Sequence, residues 1–468
     1  MINSLDYLLS KLRVSGVIEN EIIDFKNQHI ALSTIRGDVE FVDCHIIALS
    51  FTFKNIDNVN LNITFDNCTL DTHLKITESQ FNNFDIINPQ QLNSLHIHSS
   101  DLNNPVVLNR LTFIRNETLY PLKIDIFISN TNFLSEFHVS NLIMDGGSFV
   151  LIKSRFKKNE DYYYYKMTNS KFYNLCLQEN NFETITGFQN CSFDYSNMER
   201  TRYKKTLFWG NSYDKIGFTN CCFYNNVEFA NCIFEDVAIF ENNVDSNNSI
   251  LDLKNCKFKG HASFNNSKFF NLNISQSNFN DTASFQDLKT TQIILDKTSF
   301  EKISYFDNLF IENIKTSDRK TLLNIKQQLQ KADNRIDYNR FRAYELYAYY
   351  KELKWWGNFK DKFILGLTWL ATGFDHSWRR ALFFTLAGGM LFYSLLYFIE
   401  FYVALNLNND DNFTAGAFRF FMVTDFSSPF LQKEYLNNGY SWTIFVLGKI
   451  VIAFGIYEMI QAFRKFKA

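Results

Sequence analysis

The sequence predicts a four-sided β-solenoid followed by an α-helical membrane domain with two spans. Three observations carry that prediction. A phrase of large apolar and small residues recurs in five-residue steps through most of the first two thirds of the 468 residues. The phrase stops after Ile314, where helical spacing takes over. Further on, Ala381–Ile399 holds no charged side chain, and Tyr440–Ala462 is apolar apart from Lys449 and Glu458.

Met1–Val17 lacks the basic start and long apolar run of a signal peptide. Leu5, Leu8, Leu9 and Leu12 have helical spacing, so residues 1–37 read as a capping segment whose amphipathic helix closes the open edge of the first coil. The repeat occupies 38–314, with irregular insertions over 103–164. Its clearest copies are Thr186, Phe188, Cys191, Phe193; Ile216, Phe218, Cys221, Phe223; Val227, Phe229, Cys232, Phe234; and Leu251, Leu253, Cys256, Phe258. Ala262, Phe264, Ser267, Phe269 and Leu272, Ile274, Ser277, Phe279 continue it, and Phe300 ends a further copy. A step of five matches neither the 3.6 of a helix nor the 2 of a strand. It matches a chain that turns a corner every five residues and buries one large side chain per face. Four faces make a coil of about twenty residues, and coils stack at roughly 4.8 Å, so a dozen or so give a rod on the order of 60 Å. A Phe-rich β-sandwich is the alternative; it calls for strict alternation with Gly and Pro turns, and the chain has four Pro.

This grammar resembles the pentapeptide-repeat family, specifically between Tyr165 and Phe310 and more loosely earlier, at Ile63–Cys68–Leu70 and Ile76–Ser79–Phe81. The resemblance implies a right-handed quadrilateral β-helix in which the central Leu or Phe and the small residue two before it both point inward. Asn334–Glu345 and Tyr457–Phe466 resemble segments of bacterial membrane proteins that fuse such repeats to two transmembrane helices; that likeness implies an architecture and no activity. Some family members mimic DNA and bind gyrase through an acidic surface. Here the net charge is −2, and basic clusters (Lys153, Arg155, Lys157, Lys158; Arg200, Arg202, Lys204, Lys205) interrupt any acidic stripe, so a DNA mimic is only the second alternative and no nucleic-acid partner is expected.

Six of the eight cysteines (Cys44, Cys68, Cys191, Cys221, Cys232, Cys256) occupy the small inward slot and read there as small hydrophobes. Cys221–Cys222 is the one adjacent pair and no CxxC occurs, so neither a metal site nor a disulfide framework is expected. His96 and His98 flank an inward Ile97 and read as solvated. The Tyr162–Tyr165 run reads as loop packing. No catalytic signature is present, and a rod offers flat faces in place of the deep pocket that catalysis favours. No enzyme activity and no cofactor are expected.

Residues 315–356 read as a helical hairpin: Ser317 or Asp318 caps the first helix, Leu322, Ile325 and Leu329 form its apolar face, and Asp333–Asn334 breaks it. The second helix, from about Ile336 to Leu353, carries Tyr344, Tyr347, Tyr349 and Tyr350, and Lys354, Trp355 and Trp356 suit a water–lipid interface; a soluble helical cap is the alternative. Residues 357–468 form the membrane domain, with spans at about 381–402 and 440–462. Phe363–Phe374 is too short to cross and lies on the surface or re-enters. Gly388, Gly389, Gly448 and Gly455 permit close helix approach. Lys360, Lys362, Arg379 and Arg380 precede the first span, and Arg464, Lys465 and Lys467 follow the second. The intervening loop holds Asp410, Asp411, Asp425 and Glu434 against Arg419 and Lys433. The positive-inside rule places both termini in the cytoplasm of a bacterial inner-membrane, multi-pass protein.

Lys449 falls near the middle of the second span, where a charge implies function; alternatively it reaches outward to Glu400. Glu458 sits near the inner end, within reach of Arg464 or Lys465. Met422–Phe426 lacks the glycine of a carbonyl-lined filter, so a pore would rely on a ring of Asp425 and would need a homo-oligomer, because two helices cannot enclose it. The expected function is a non-enzymatic scaffold that binds or spaces an unknown protein partner and is held to the lipid bilayer; the first alternative is an oligomeric two-span channel or membrane effector gated by the rod.

Overall fold

The computed structural model describes the chain apart from residues 34, 36, 58–60, 82, 88–90, 99, 103–105, 110–111, 114–123, 134–136, 145–147, 157–162, 246–248, 315–316, 355, 375–376, 404–412, 431–435, 437 and 465–468. It comprises two compact units, Met1–Thr316 and Ser317–Ala468.

The first unit is a parallel β-solenoid of about 11 turns. From Phe188 the chain steps inward at Phe193, Met198, Tyr203, Phe208, Tyr213, Phe218 and Phe223, all at most 1% exposed. Each turn hydrogen-bonds to the same face of the next. Phe172 lies opposite Phe193, then Tyr213, Phe234, Phe258, Phe279 and Phe300 follow in one column. Their ring centroids are 4.3–5.2 Å apart and nearly parallel. That is the strand spacing, so the backbone ladder dictates the offset stacking that aromatic rings favour. A second column runs Phe218, Phe240, Phe264, Phe285, Phe306 at 4.6–5.3 Å.

The corners explain the Asn content. Asn190, Asn220, Asn231, Asn242, Asn255, Asn266 and Asn308 all have φ between +53° and +57° or, for Asn255, +52°, a left-handed conformation that Asn tolerates better than most residues. Such a bend takes nearby backbone groups out of the ladder. The slot residue of the next turn recovers them. Asn211 accepts from the Cys191 N–H (2.8 Å) and donates to the Phe188 carbonyl (3.0 Å). Ser277 accepts from the Cys256 N–H (3.0 Å), and its one hydroxyl proton is shared between the carbonyls of Ser275 (2.9 Å) and Leu253 (3.2 Å). Cys221 donates to Met198 O at 3.0 Å, Cys232 to Phe208 O at 3.4 Å, and Cys256 to Phe229 O at 3.3 Å. The cysteines are therefore hydrogen-bond donors as well as small fillers, and the hydrophobe reading is corrected in that respect. All eight are free thiols, and burial pushes those of Cys191 and Cys221 up to about 12, which keeps the donating proton in place.

At the amino end α1 (Leu5–Ser15) buries Leu8 and Leu12. The ladder begins directly after it: Val17–Glu19 pairs with Glu40–Val42, and His29–Leu32 with Ser50–Phe53. Residues 17–32, read from the sequence as part of a cap, thus lie in the first coil; its interior is filled by Ile18, Ile23, Phe25, Ile30 and Leu32, so the repeated Phe phrase is weak there. The tyrosine run also differs from its reading. Tyr162 lies outside the described residues, but Tyr163–Thr168 is a strand and Tyr165 is a core residue stacked on Phe137 at 5.3 Å.

In the second unit α2 (Arg319–Lys331) and α3 (Arg335–Glu352) form a hairpin, capped by Asp318 and Asn334. The buried Glu345 joins Arg319 (3.3 Å) and Lys326 (3.0 Å). Then come α4 (Phe359–Thr372), α5 (Trp378–Phe398), a π-helical turn at Ile399–Val403, the short α6 (Phe413–Phe421) and α7 (Gly439–Arg464). Two segments, Trp378–Phe401 and Gly439–Phe463, are long and apolar enough to cross a membrane.

Candidate functional site

Of the polar residues singled out near the two long apolar helices, Lys449 meets the end of α6 and Asp425 follows it, whereas Glu400 lies in the turn that extends α5 and Glu458 is tied to α4. The glycines of α5 and α7 bring the short α6 close to the long helices. A Cβ on Gly448 would lie 2.5 Å from the Phe420 ring, one on Gly389 2.4 Å from Phe421, and one on Gly416 2.2 Å from the Tyr393 hydroxyl. Tyr393, from α5, donates to the Phe413 carbonyl at 3.0 Å. Around these contacts Tyr393, Leu396, Ala417, Phe420, Phe445 and Ile452 pack as one core with Phe430 and Leu436.

Lys449, 4% exposed, points into this core. Its ammonium donates to the carbonyls of Phe420 (2.8 Å) and Met422 (2.6 Å) and lies 5.4 and 5.2 Å from the ring centres of Phe420 and Phe445. The two carbonyls are at the carboxyl end of α6, the negative end of its dipole, whose last C=O groups have no partner within the helix. The lysine supplies hydrogen bonds, opposite charge and cation–π contact at one point. The expected alternative, in which Lys449 reaches Glu400, is corrected: its bonds go to α6. Glu400 is buried in the π-helical turn that extends α5.

Glu458 is buried, and its carboxylate accepts from the Thr372 hydroxyl at 3.0 Å, tying α7 to the carboxyl end of α4. The expected partners Arg464 (side chain) and Lys465 lie outside the described residues. Asp425 accepts from the backbone N–H (2.9 Å) and the hydroxyl of Ser427. Those bonds hold its carboxyl below the usual carboxylate range. The turn is local: the carboxylate closes on a residue two positions further along the chain. Asp410, Asp411, Lys433 and Glu434 lie outside the described residues.

The fourteen solenoid residues named from the repeat (Phe188, Cys191, Phe193, Phe218, Cys221, Phe223, Phe229, Cys232, Phe234, Phe258, Phe264, Phe269, Phe279 and Phe300) are buried. His96 is half-buried beside Phe127, with their ring centres 5.9 Å apart, and Ile97 is fully buried. A groove of about 760 Å³ runs between α1 and the first coil, lined by Leu9, Leu12, Arg13 and Asp38. Sequence reasoning missed the role of α6 as the partner of Lys449. The usable signal was the coincidence of a lysine midway along a long apolar helix with a short apolar helix in the preceding loop. Comparison with protein-family profiles, curated proteins and solved structures gives no match to this chain.

Proposed function

We propose that this chain is a membrane-anchored scaffold of the pentapeptide-repeat type, in which α5 and α7 cross the lipid bilayer and the solenoid binds or spaces a protein partner. The observation that carries the reading is the outer surface of the two long helices. Phe383 is 75% exposed, Leu391 63% and Ile450 57%, and they belong to an apolar surface far larger than scattered surface residues need. Lipid is the solvent that removes that cost. The solenoid interior is filled by stacked rings, which leaves its faces as the working surfaces; Tyr195, Trp209 and Tyr224 are exposed there. The charge pattern of the flanks supports a bacterial inner-membrane protein with both termini cytoplasmic.

The second reading, an oligomeric two-span channel, is favoured by one specific feature: a short helix packed between the two spans. A cation pore built this way would aim the carboxyl end of that helix at the ion. Here Lys449 fills that position with its own charge, which weighs toward the anchor. The discriminating measurement is the mass of the purified detergent complex together with ion flux in liposomes. A monomer without flux supports the scaffold. A discrete oligomer whose flux changes in Lys449→Met and Asp425→Asn would replace it with the channel.

A further inference from the structure

α4 has fourteen residues, about 21 Å at 1.5 Å per residue, against a hydrocarbon core of about 30 Å. It cannot cross, so it either dips into the bilayer or lies along its surface. Three features decide between these. The first is an apolar stripe: Phe359, Phe363 and Leu370 share one side of the helix, at positions i, i+4 and i+11, and all three are exposed. The second is the placement of cations at both ends. Lys360 is exposed at the first turn. At the last turn Arg380, from the start of α5, donates to the Trp369 carbonyl at 3.1 Å and lies 5.6 Å from the Trp369 ring centre; Arg379 beside it is exposed and lies over Trp378 at 5.8 Å. A helix that dipped inward would carry one of these charged ends into hydrocarbon, at a cost of several kcal/mol per charge by insertion scales. The third is the tie from Thr372 to Glu458. Glu458 is five residues short of the end of the second apolar segment, Gly439–Phe463, about 8 Å by helical rise, so the carboxyl end of α4 is held at the level where the span leaves the hydrocarbon.

We propose that α4 is an in-plane membrane helix, with Phe359, Phe363 and Leu370 among the acyl chains and Lys360 and Arg379 on the phosphates of anionic lipids. The occupant follows from continuity and charge. A five-residue connection separates α4 from α5 and its lipid-facing surface, and the fringe is basic, with Asp361 the one acid on the helix. The inference rests on the two-span reading and deepens it by naming the lipid class.

The test uses full-length protein in mixed vesicles, with Trp209, Trp355, Trp356, Trp378 and Trp442 replaced by Phe so that Trp369 reports alone. Its fluorescence is quenched by lipids brominated at shallow or deep acyl positions, carried on either phosphatidylglycerol or phosphatidylcholine. The expected result is stronger quenching from shallow than from deep bromines, and stronger quenching by the anionic lipid. The preference for the anionic lipid falls by about fivefold for each cation neutralised in Lys360→Gln and Arg379→Gln, which leave the Arg380 contact intact, and falls with added salt. Equal quenching by both headgroups, deep bromines dominating, or a Trp369 that no bromine reaches while the protein resists alkaline extraction would each overturn the in-plane anionic-lipid assignment and leave the spans standing. Release of the protein by alkaline extraction would remove the two-span reading and this inference with it.

Discussion

Replacing Lys449 with Met tests the junction of α6 and α7. Met keeps most of the length and apolar character of the lysine stem, so the change removes the ammonium and its two hydrogen bonds with little change in packing. The carbonyls of Phe420 and Met422 lose donors at 2.8 and 2.6 Å. Met422 O keeps the Asp425 N–H at 3.1 Å, so the cost falls on the buried Phe420 carbonyl, about 1–3 kcal/mol for an acceptor left without that donor. Losing a cation at the carboxyl end of a helix adds about 0.3–1 kcal/mol. Against this, the variant no longer keeps a charge out of water, which returns part of the sum. A net of about 2 kcal/mol remains, and it acts locally, on the opening of α6, a helix of nine residues. Hydrogen exchange of the amides in Phe413–Met422, in the purified detergent complex, should accelerate about thirtyfold in Lys449→Met. Exchange in the solenoid should not change. Lys449→Arg, which retains charge and donors, should lose less. Unaltered α6 protection in a folded Lys449→Met protein would refute the reasoning, because it would mean that the glycine-mediated packing holds α6 without the lysine.

Three further outcomes follow from the solenoid and its cap. Ser277→Ala orphans the Cys256 N–H and removes the hydroxyl proton shared by the Ser275 and Leu253 carbonyls and should lower unfolding free energy by about 2 kcal/mol, read as a shift in the urea midpoint of the β signal, whereas Ser277→Cys should recover part of it. Asn255 has φ +52°, so Asn255→Val should cost at least about 1–2 kcal/mol while Asn255→Gly costs less, and equal losses would show that the amide bond to Asn231 (2.7 Å) matters more than the bend. The Glu21 carboxyl is held down to about 2 by hydrogen bonds from Lys11 and the Met1 ammonium. Its folded value is depressed, so its contribution is present above the usual carboxylate range and lost as pH falls toward 2. Glu21→Gln should flatten the acid limb of the stability profile, and an unchanged limb would count against the pair.

The solenoid was legible because its physics is local and repeated. A coil that buries one residue per face must show a large apolar side chain every five positions, and Phe188 to Phe223 shows it without a gap. The left-handed corners were half legible: Asn before Cys or Ser recurs at Asn190, Asn220, Asn231 and Asn255, but the sequence does not say that the slot after it serves the backbone of the turn before. The near absence of Ala from those slots was the clue. A merely small residue would serve as a filler, yet Cys, Ser, Thr and Asn occur, each able to donate to a carbonyl that the bend leaves outside the ladder. The first coil was harder to read because Ile and Leu fill most of it: Ile18–Ile23 and Phe25–Ile30 keep the five-residue step, but Phe25 is its one phenylalanine and no Cys, Ser or Thr marks the slot.

Around Lys449 the sequence revealed the parts but not their assembly. The glycines of the two spans were read as allowing α5 and α7 to approach each other. They do: a Cβ on Gly388 would lie 2.9 Å from Val451 and one on Gly455 2.1 Å from Thr385, and at Gly389 and Gly448 the space also admits the rings of Phe421 and Phe420, which bring the end of α6 to the depth of the lysine. The same close approach that removes two side chains from the helix surface exposes the need for a donor, because it carries the Phe420 carbonyl, at the end of a short helix, into an apolar core. Glycine and lysine are therefore coupled: Gly448→Val, by displacing Phe420, should leave Lys449 without its carbonyls and destabilise α6 at least as much as Lys449→Met. The double variant Gly448→Val with Lys449→Met should be less damaging than the sum of the two, since the second change removes a charge that the first has already stranded. Additive losses, measured by the same exchange experiment, would show that the two residues act on α6 independently.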